Sequence, residues 1–259
     1  GARSVLVFKM HIFVINLVED EVRRMAIEAQ LNGLGLDYEI FPAVRGKALS
    51  AAERAASYDE VWYRRNEGRD ATPGELGCAL SHIGIYRLIQ ERGISHALVL
   101  EDDAWLNPNL PQLLAAIEAK KDPKRKEVIL LTWFQSVRMK GFDTLWSCYH
   151  SAETRSAVCA HGYVVSNACA CALLEELFPI RHVADCWNWL AQHRVVRVRA
   201  VFPTCITANM AHVTNISGDL QSPSAGLSIF HQIRRKIWRL FWMVYNRVMG
   251  RIHRAIRRI

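Results

Sequence analysis

The stretch TPGELGCALSHIGIYRLIQERGISHALVLEDD, residues 72–103, places a helix start, a helix stop and a buried strand in direct succession. Thr72 and Glu75, with a proline between them, form a capping box and predict that a helix begins here. Gly93 is a typical helix stop, and the apolar run Ala97–Leu100 predicts a short strand. A helix followed by a buried strand is the repeating unit of an α/β fold.

The same alternation continues on both sides of this stretch. Strands are predicted at His11–Leu17, Tyr38–Val44, Ala97–Leu100, Val128–Leu131, Gly162–Ser166 and Val195–Val201. Helices are predicted at Glu19–Leu31, Ser50–Ala56, Thr72–Arg92, Asn107–Lys120, Asn167–Phe178 and Cys186–Gln192. The alternating apolar and basic residues of Val195–Val201 suit an edge strand, and the aperiodic residues Tyr58–Asp70 suit a loop. This order predicts an α/β fold with a doubly wound, mostly parallel sheet.

Composition excludes several classes of protein. The 259 residues are 51% hydrophobic and 22% charged, which is typical of a globular domain and not of a disordered or collagen-like chain. The 33 Lys and Arg outnumber the 25 Asp and Glu, for a formal net charge of +8. Nine of the basic residues and none of the acidic ones lie in Leu227–Ile259, so the first 226 residues carry a net charge of −1. We therefore expect no nucleic-acid interface in the folded body.

The basic C-terminal segment, residues 227–259, has an apolar stripe at helical spacing with arginines on the other face. This pattern predicts an amphipathic helix that lies on an anionic membrane surface. Packing of the stripe against the catalytic domain or a second subunit is the alternative. The chain is accordingly divided into a domain of residues 10–226 and a tail of residues 227–259, with residues 1–9 expected to be at least partly an expression remnant.

The seven cysteines cannot all pair within one chain and do not form a zinc motif, so we expect small buried apolar side chains in a reducing cytosol. No secretion signal is predicted. No apolar run reaches the roughly 18–20 residues that a membrane span needs.

The three acids that follow Ala97–Leu100 are candidate cation ligands. In extended backbone, Glu101 and Asp103 project together and Asp102 projects the opposite way. Adjacent acids at the end of a buried strand are costly unless positive charge compensates them, and a divalent cation would do so. The alternative is an acidic turn in solvent.

Five segments in order carry a resemblance to a known family. They are VINL at residues 14–17 with Arg23-Arg24, FPAVRG at 41–46, GELGCALSH at 74–82, LVLEDD at 98–103, and AHGYVVS at 160–166. Across residues 11–220 the chain resembles glycosyltransferase family 25, of the bacterial lipooligosaccharide galactosyltransferase type. The stretch Cys159–Tyr163 departs from the Gly-Thr-x-Gly-Tyr of many relatives, so acceptor contacts at Ala160 and His161 are not carried over.

The resemblance implies a GT-A-like fold and a set of site residues. Asn16, Leu17 and Arg23 (or Arg24) would bind the nucleotide, and Ala43, Val44 and Gly46 would line the uracil and ribose. Ser81, His82 and Asp102 would also face the nucleotide sugar, with Glu101 and Asp103 as ligands of Mn²⁺ or Mg²⁺. His212 is a further candidate for the metal ligand set, with a phosphate contact as its alternative. Asp185 would be the general base, beside Trp187 and Trp189 as a stacking floor for a sugar. Plain alternatives are a turn at Gly46, a core histidine at His82, and an N-cap of the helix Cys186–Gln192 at Asp185.

The implied activity is an inverting, metal-dependent transfer of galactose from UDP-galactose to a lipooligosaccharide acceptor sugar. The expected partners are the nucleotide sugar, a lipid-linked oligosaccharide acceptor and an anionic membrane, without nucleic acid. The expected location is the bacterial cytoplasm, on the cytoplasmic face of the inner membrane. The alternatives are transfer from UDP-glucose or UDP-N-acetylglucosamine, a non-catalytic membrane-bound binding protein on this fold, and nucleic-acid binding through the basic tail.

Overall fold

The computed structural model of the chain describes residues 10–138 and 140–208, which form a mixed sheet with helices on both faces. The strands are β1 (His11–Asn16), β2 (Glu39–Pro42), β3 (His96–Glu101), β4 (Ala104–Leu106), β5 (Glu127–Leu130), β6 (Phe134–Val137), β7 (Asp143–Trp146), β8 (Tyr149–Ala157), β9 (Gly162–Ser166), β10 (Arg197–Phe202) and β11 (Ile206–Ala208). The helices are α1 (Glu21–Gly33), α2 (Ala51–Ser57), α3 (Glu60–Glu67), α4 (Pro73–Glu91), α5 (Leu110–Lys120), α6 (Asn167–Leu177) and α7 (Trp187–Gln192), with a short 3₁₀ turn at Gly46–Ala48.

The main sheet has nine strands in the order β2-β1-β3-β9-β5-β10-β8-β6, with β7 paired to β8, and β11 pairs with β4 outside it. Within this sheet β8 and β9 run opposite to the other seven strands. The expected α/β fold with a mostly parallel sheet is therefore confirmed.

Strand alternation divides the core between the two faces of the sheet. Phe13 and Ile15 point to one face, into the layer that contains α4 and α6. Ile12 and Val14 point to the other face, into the layer that contains α1 and α5. Each strand residue is buried on its own side because successive side chains leave a strand in opposite directions. Helices on both faces give the doubly wound arrangement.

The predicted loop at Tyr58–Asp70 is wrong, because most of it is helix α3. Asp59 caps this helix by accepting a hydrogen bond from the N–H of Trp62 at 3.0 Å, and Gly68 ends it in the left-handed conformation with φ 71°. Tyr63 is the one residue of α3 that is fully buried. Because only one position of α3 is buried, its sequence lacks the apolar periodicity by which a helix is predicted.

The predicted edge position of Val195–Val201 is also wrong, because β10 lies between β5 and β8 inside the sheet. Sequence reading missed β6, β7 and β8, which cover this side. The buried Arg199 is satisfied there: its guanidinium donates to the backbone oxygen of Ser151 at 2.7 Å and lies 2.9 Å from Asp143. The buried charge of Arg199 is thus compensated by Ser151 and Asp143, which are distant from it in the sequence.

The capping box at the start of α4 is confirmed. Thr72 accepts from the N–H of Glu75 at 3.2 Å, and the Glu75 carboxylate accepts from the N–H of Thr72 at 2.9 Å. The backbone after β2 packs directly on this first turn: a Cβ on Gly46 would lie 1.7 Å from the carbonyl oxygen of Pro73, and one on Gly77 would lie 2.3 Å from that of Val44. Glycine at both positions permits the close approach.

Two predictions lie outside the described residues: the amphipathic tail of residues 227–259 and the cation ligand His212. Within the described part of the chain, none of the helices has the length and apolar character that crossing a bilayer requires.

Candidate active site

Three parallel strands end side by side at one edge of the sheet, and the predicted site residues lie at or just beyond these ends. Asn16 is the last residue of β1, Ala43 follows β2, and Glu101 is the last residue of β3. The N–H of Ala43 donates to the carbonyl of Asn16 at 2.8 Å and ties the first two ends together. In open α/β sheets this edge is where ligands bind.

Asp102 faces the end of β1. Its Oδ2 accepts from Asn16 Nδ2 at 2.8 Å, and its Oδ1 lies 3.3 Å from Arg23 Nη1. Arg23 Nε also contacts Asp20 Oδ2 at 3.3 Å. Asn16, Arg23 and Asp102, three of the residues predicted for the nucleotide, are therefore brought together, whereas Arg24 is exposed and pairs within its own helix.

Other residues predicted for the nucleotide form the rim and its support. Leu17, Ala43 and Val44 are half-buried at the strand ends. Ser81 is completely buried, and its hydroxyl accepts from the N–H of Val44 at 2.8 Å while it donates to the carbonyl of Gly77 at 2.7 Å. Ser81 thus holds the backbone after β2 against α4 and has no surface for direct contact with a ligand.

Glu101 presents its two carboxylate oxygens to two different histidines. Oε1 lies 3.3 Å from His82 Nε2, and Oε2 lies 3.0 Å from His161 Nδ1. Burial favours the neutral acid, but the two histidines outweigh it and hold the pKa of Glu101 well below its usual range. Glu101 is therefore a fixed anion at the end of β3.

Asp103 lies on the same side as Glu101, as the sequence predicted, and its Oδ1 is 3.2 Å from His161 Nδ1. The reason differs from the predicted one, because β3 ends at Glu101 and a turn carries the next two residues. Asp103 is buried, and apart from this contact with His161 its Oδ1 has no hydrogen-bond partner among the described residues. Burial lowers the pKa of His161, but the carboxylates of Asp103 and Glu101 reverse this and raise it well above its usual range.

A chain of polar side chains leads from Glu101 into the core. His82 Nδ1 lies 2.7 Å from the Tyr163 hydroxyl, which lies 2.8 Å from the Tyr86 hydroxyl. Cys78, one helical turn before His82, faces the same Glu101 oxygen with its Sγ 3.9 Å away. His82 is thus a satisfied core group that also orients a candidate cation ligand.

Asp185 belongs to the same region and is not the N-cap of α7, because Cys186 takes that position. Asp185 Oδ2 accepts from the N–H of Cys159 at 2.9 Å. Burial raises the pKa of Asp185; the bond from Cys159 opposes this rise, and the negative charge of Glu101 adds to it. A carboxylate with a raised pKa close to Glu101 suits the predicted general base.

The predicted stacking floor is wrong for Trp187. This side chain is completely buried, packs on Tyr163 with ring centroids 5.1 Å apart, and donates from Nε1 to the carbonyl of Cys159 at 2.9 Å. Trp189 is half-buried and lies against His182 and His193, with centroids 4.3 Å and 4.1 Å away. The aromatic group at α7 therefore supports the loop before β9 and the end of the helix.

Within residues 10–138 and 140–208, two groups of side chains offer converging cation ligands, and Glu101 belongs to both. One group is Glu101, Asp103 and His161; the other is Cys78, His82 and Glu101. The second group combines one carboxylate with a thiol and an imidazole, whereas the first group supplies two carboxylates and an imidazole. Because Mg²⁺ and Mn²⁺ prefer carboxylate oxygens to thiols, the first group fits such a cation better.

His161 is the site residue that sequence reasoning missed. It is 60 residues from Glu101 in the chain and precedes the predicted strand Gly162–Ser166, and β9 runs antiparallel to β3. The N–H of Glu101 donates to the carbonyl of His161 at 3.1 Å, so this residue is the direct continuation of the ladder. The available signal was a histidine just before a predicted strand, but only the pairing of β9 with β3 shows that it lies beside Glu101.

The site is recognised by its chemistry, and two hollows of the described surface lie apart from it. A hollow of about 480 Å³ is lined by α5 and the residues around β7, and another of about 390 Å³ by the start of β10 and its neighbours. Neither includes a residue of the Glu101 cluster.

Comparison with known proteins agrees with this chemistry. Residues 9–187 match the sequence profile of glycosyltransferase family 25 (LPS biosynthesis protein). A glycosyltransferase 25 family member from Aedes aegypti is 32% identical over 178 residues, which cover 64% of this chain and 28% of that protein.

Two vertebrate relatives match shorter regions. Procollagen galactosyltransferase 1 of Danio rerio is 37% identical over 99 residues, covering 36% of this chain and 16% of the relative. A probable inactive glycosyltransferase 25 family member 3 of Bos taurus is 33% identical over 119 residues, covering 43% and 20%. The chain thus spans less than a third of the length of each of these three relatives.

Proposed function

Because the chain belongs to glycosyltransferase family 25, we propose that it is an active glycosyltransferase that moves galactose from UDP-galactose to an acceptor sugar with inversion. The observation that carries the proposal is the convergence of Glu101 and Asp103 at the end of β3, with Asp185 close by. Fixed carboxylates at this edge suit a cation-assisted diphosphate leaving group.

The donor and the acceptor follow from what the relatives are called. A galactosyltransferase among them supports galactose as the transferred sugar, and the family description supports a lipopolysaccharide-type acceptor. We therefore propose UDP-galactose as donor and the saccharide of a lipooligosaccharide as acceptor. UDP-glucose and UDP-N-acetylglucosamine are the alternative donors, since they share the uridine diphosphate.

The nucleotide would lie along the ends of β1 and β2, beside Asn16, Leu17, Ala43 and Val44. The guanidinium of Arg23 lies at this edge, where Asp102 orients it at 3.3 Å. Planar guanidinium groups bind phosphate oxygens through paired hydrogen bonds. Arg23 would thereby hold the diphosphate while its own carboxylate partners keep it in place.

A divalent cation, when bound, neutralises negative charge that develops on the departing diphosphate, and Glu101 and Asp103 would hold it. In the transfer itself, the acceptor hydroxyl oxygen bonds to the anomeric carbon as the bond from that carbon to the diphosphate breaks. UDP leaves with the electron pair, and the hydroxyl proton passes to Asp185. One displacement inverts the configuration and needs no covalent enzyme intermediate.

For the basic tail, residues 227–259, we propose attachment to an anionic membrane, with the enzyme on the cytoplasmic face of the bacterial inner membrane. Nine basic residues without an acidic one and an apolar stripe support this proposal. A lipid-linked acceptor would be confined to the same surface, which favours encounter.

The test is a donor screen with the full chain. Purified protein with Mn²⁺ is mixed with each UDP-sugar and a lipooligosaccharide acceptor, and released UDP and labelled product are measured. We expect product from UDP-galactose, and none with Glu101→Gln, whereas the exposed Glu91→Gln in α4 is the matched control and should transfer normally.

A non-catalytic role is the second candidate, because a relative of this chain is described as probably inactive. UDP binding without any transfer, for every donor and acceptor pair tested with Mn²⁺ present, would support that role and overturn the proposal.

A further inference from the structure

We propose, on the basis of the proposed function, that His161 is a direct ligand of the catalytic cation. The cation site would then have one nitrogen and two oxygen donors from the protein, and would prefer Mn²⁺ or another first-row transition ion to Mg²⁺ and Ca²⁺.

The spacing of the three candidate ligand atoms carries the first step. His161 Nδ1 lies 3.0 Å from Glu101 Oε2 and 3.2 Å from Asp103 Oδ1. An octahedral ion with bonds of about 2.1 Å has neighbouring ligand atoms about 3 Å apart. Nδ1 therefore already has the separation of an adjacent ligand from each of the two oxygens, and the three ligand atoms lie within 4.8 Å of one another.

Competing contacts show which oxygens remain for a cation. Glu101 Oε1 is taken by His82, so Oε2 is the oxygen that Glu101 can offer. Asp103 Oδ1 is buried, and apart from its contact with His161 at 3.2 Å it meets no hydrogen-bond donor among the described residues, so a cation at this point would complete its interactions. The carboxylate of Asp102 is turned to Asn16 and Arg23. Glu101, Asp103 and His161 each offer a ligand atom to the same point, and three protein ligands would leave positions for diphosphate oxygens and water.

The backbone before β9 holds His161 in place. Its carbonyl accepts from the N–H of Glu101 at 3.1 Å. Two residues earlier, Cys159 adopts a φ of 75° and is held by Asp185 at its N–H and by Trp187 at its carbonyl. Ligands that are oriented by their surroundings before the ion arrives bind it more tightly.

An imidazole ligand changes which ion the site selects. Mg²⁺ and Ca²⁺ prefer oxygen ligands, whereas nitrogen ligands favour the first-row transition ions. A site made only of Glu101 and Asp103 would discriminate little among hard cations. The imidazole of His161 would make the site prefer Mn²⁺ to Mg²⁺ and Ca²⁺. This preference can be measured by ion binding alone, without a sugar donor.

Pulsed electron paramagnetic resonance on the full chain with Mn²⁺ tests the ligand directly. We expect the ¹⁴N modulation of a bound imidazole in the wild type, and its loss in His161→Ala and in the less disruptive His161→Gln. His150→Ala, on β8 and bonded to Thr144, is the matched control and should keep the modulation. His212→Ala should also keep it; modulation that persists without His161, or disappears with His212, overturns the proposal.

Ion competition tests the selectivity. We expect His161→Gln to bind Mn²⁺ at least about tenfold more weakly, a loss known even for groups that only orient a ligand. In His161→Asp, where all three donors are oxygens, the preference for Mn²⁺ over Mg²⁺ should fall. Equal binding of Mn²⁺ and Mg²⁺ by the wild type contradicts the inference. These ion-binding measurements contain no sugar donor. A chain that gives the ¹⁴N signal but transfers no sugar would therefore contradict the proposed function and leave the assignment of His161 as a ligand intact.

Discussion

Glu101 is the residue on which the site is organised. Its two oxygens are divided between His82 and His161, at 3.3 Å and 3.0 Å, so the carboxylate cannot rotate without losing one of them. The sequence predicted the grouping of Glu101 with Asp103 and the separation of Asp102 from strand alternation, but the structure produces it through a turn at Asp102 and Asp103. Neither histidine contact was predicted, because each depends on another element packing against β3.

At this scale we predict that Asp103→Asn abolishes most activity while the fold survives. Asparagine keeps the shape of the side chain but removes the anionic oxygen, and the loss of cation stabilisation should lower kcat by about 10²-fold or more. Asp102→Asn should instead raise KM for the donor, because Asp102 orients Arg23 at 3.3 Å.

Steady-state kinetics with saturating Mn²⁺ separates the two variants, and Asp37→Asn is the matched control at an exposed position. Near-wild-type rates for both Asp103→Asn and Asp102→Asn would remove the acid cluster from the mechanism.

A second prediction concerns Asp185, which has both a structural contact and a proposed chemical one. In Asp185→Asn the amide oxygen can still accept from the N–H of Cys159, so the loop before β9 should be preserved. Loss of a general base should nevertheless lower kcat by about 10²–10⁴-fold and leave UDP affinity unchanged.

Kinetics and thermal unfolding of Asp185→Asn and Asp185→Ala distinguish the two roles. If Asp185→Asn transfers at the normal rate and only Asp185→Ala melts early, Asp185 positions Cys159 and is not the base.

At the scale of elements, the contact between α4 and the backbone after β2 shapes the nucleotide side of the site. Gly46 lies against the first turn of α4, where an added Cβ would stand 1.7 Å from the carbonyl oxygen of Pro73. We predict that Gly46→Ala destabilises the protein by about 1–3 kcal/mol and raises KM for the donor, because overpacking must displace the segment that carries Ala43 and Val44.

Gly33→Ala is the matched control, since a Cβ there meets nothing within 4 Å and the position lies at the end of a helix. It should be neutral or slightly stabilising in urea unfolding, because alanine loses less entropy on folding. Equal effects of Gly46→Ala and Gly33→Ala would mean that the close approach has no energetic role.

At the scale of the whole molecule, the charge is unevenly distributed, with nine basic residues in the tail and a net charge of −1 before it. We predict that a chain without residues 227–259 still uses UDP-galactose with a small soluble acceptor. It should no longer bind anionic liposomes, and transfer to a lipid-embedded acceptor should slow, because the site residues lie outside the tail.

Liposome sedimentation and transfer to both acceptors provide the measurement. A full-length variant with Arg251, Arg254, Arg257 and Arg258 replaced by Gln keeps the apolar stripe and tests the charge alone. Aggregation of the shortened chain, or unchanged liposome binding, would assign the stripe to the core or to a subunit contact.

Local patterns were enough to identify the α/β class, the helix that begins at Thr72 and the acid cluster after β3, because capping and periodicity are encoded within a few neighbouring residues. The contact of His161 with Glu101 and Asp103 depends on the antiparallel pairing of β9 with β3. The interior position of β10 depends on its pairing with β8. These are contacts between segments dozens of residues apart. No local pattern records them, since they exist only when the chain folds and buried polar groups find their partners across the sheet.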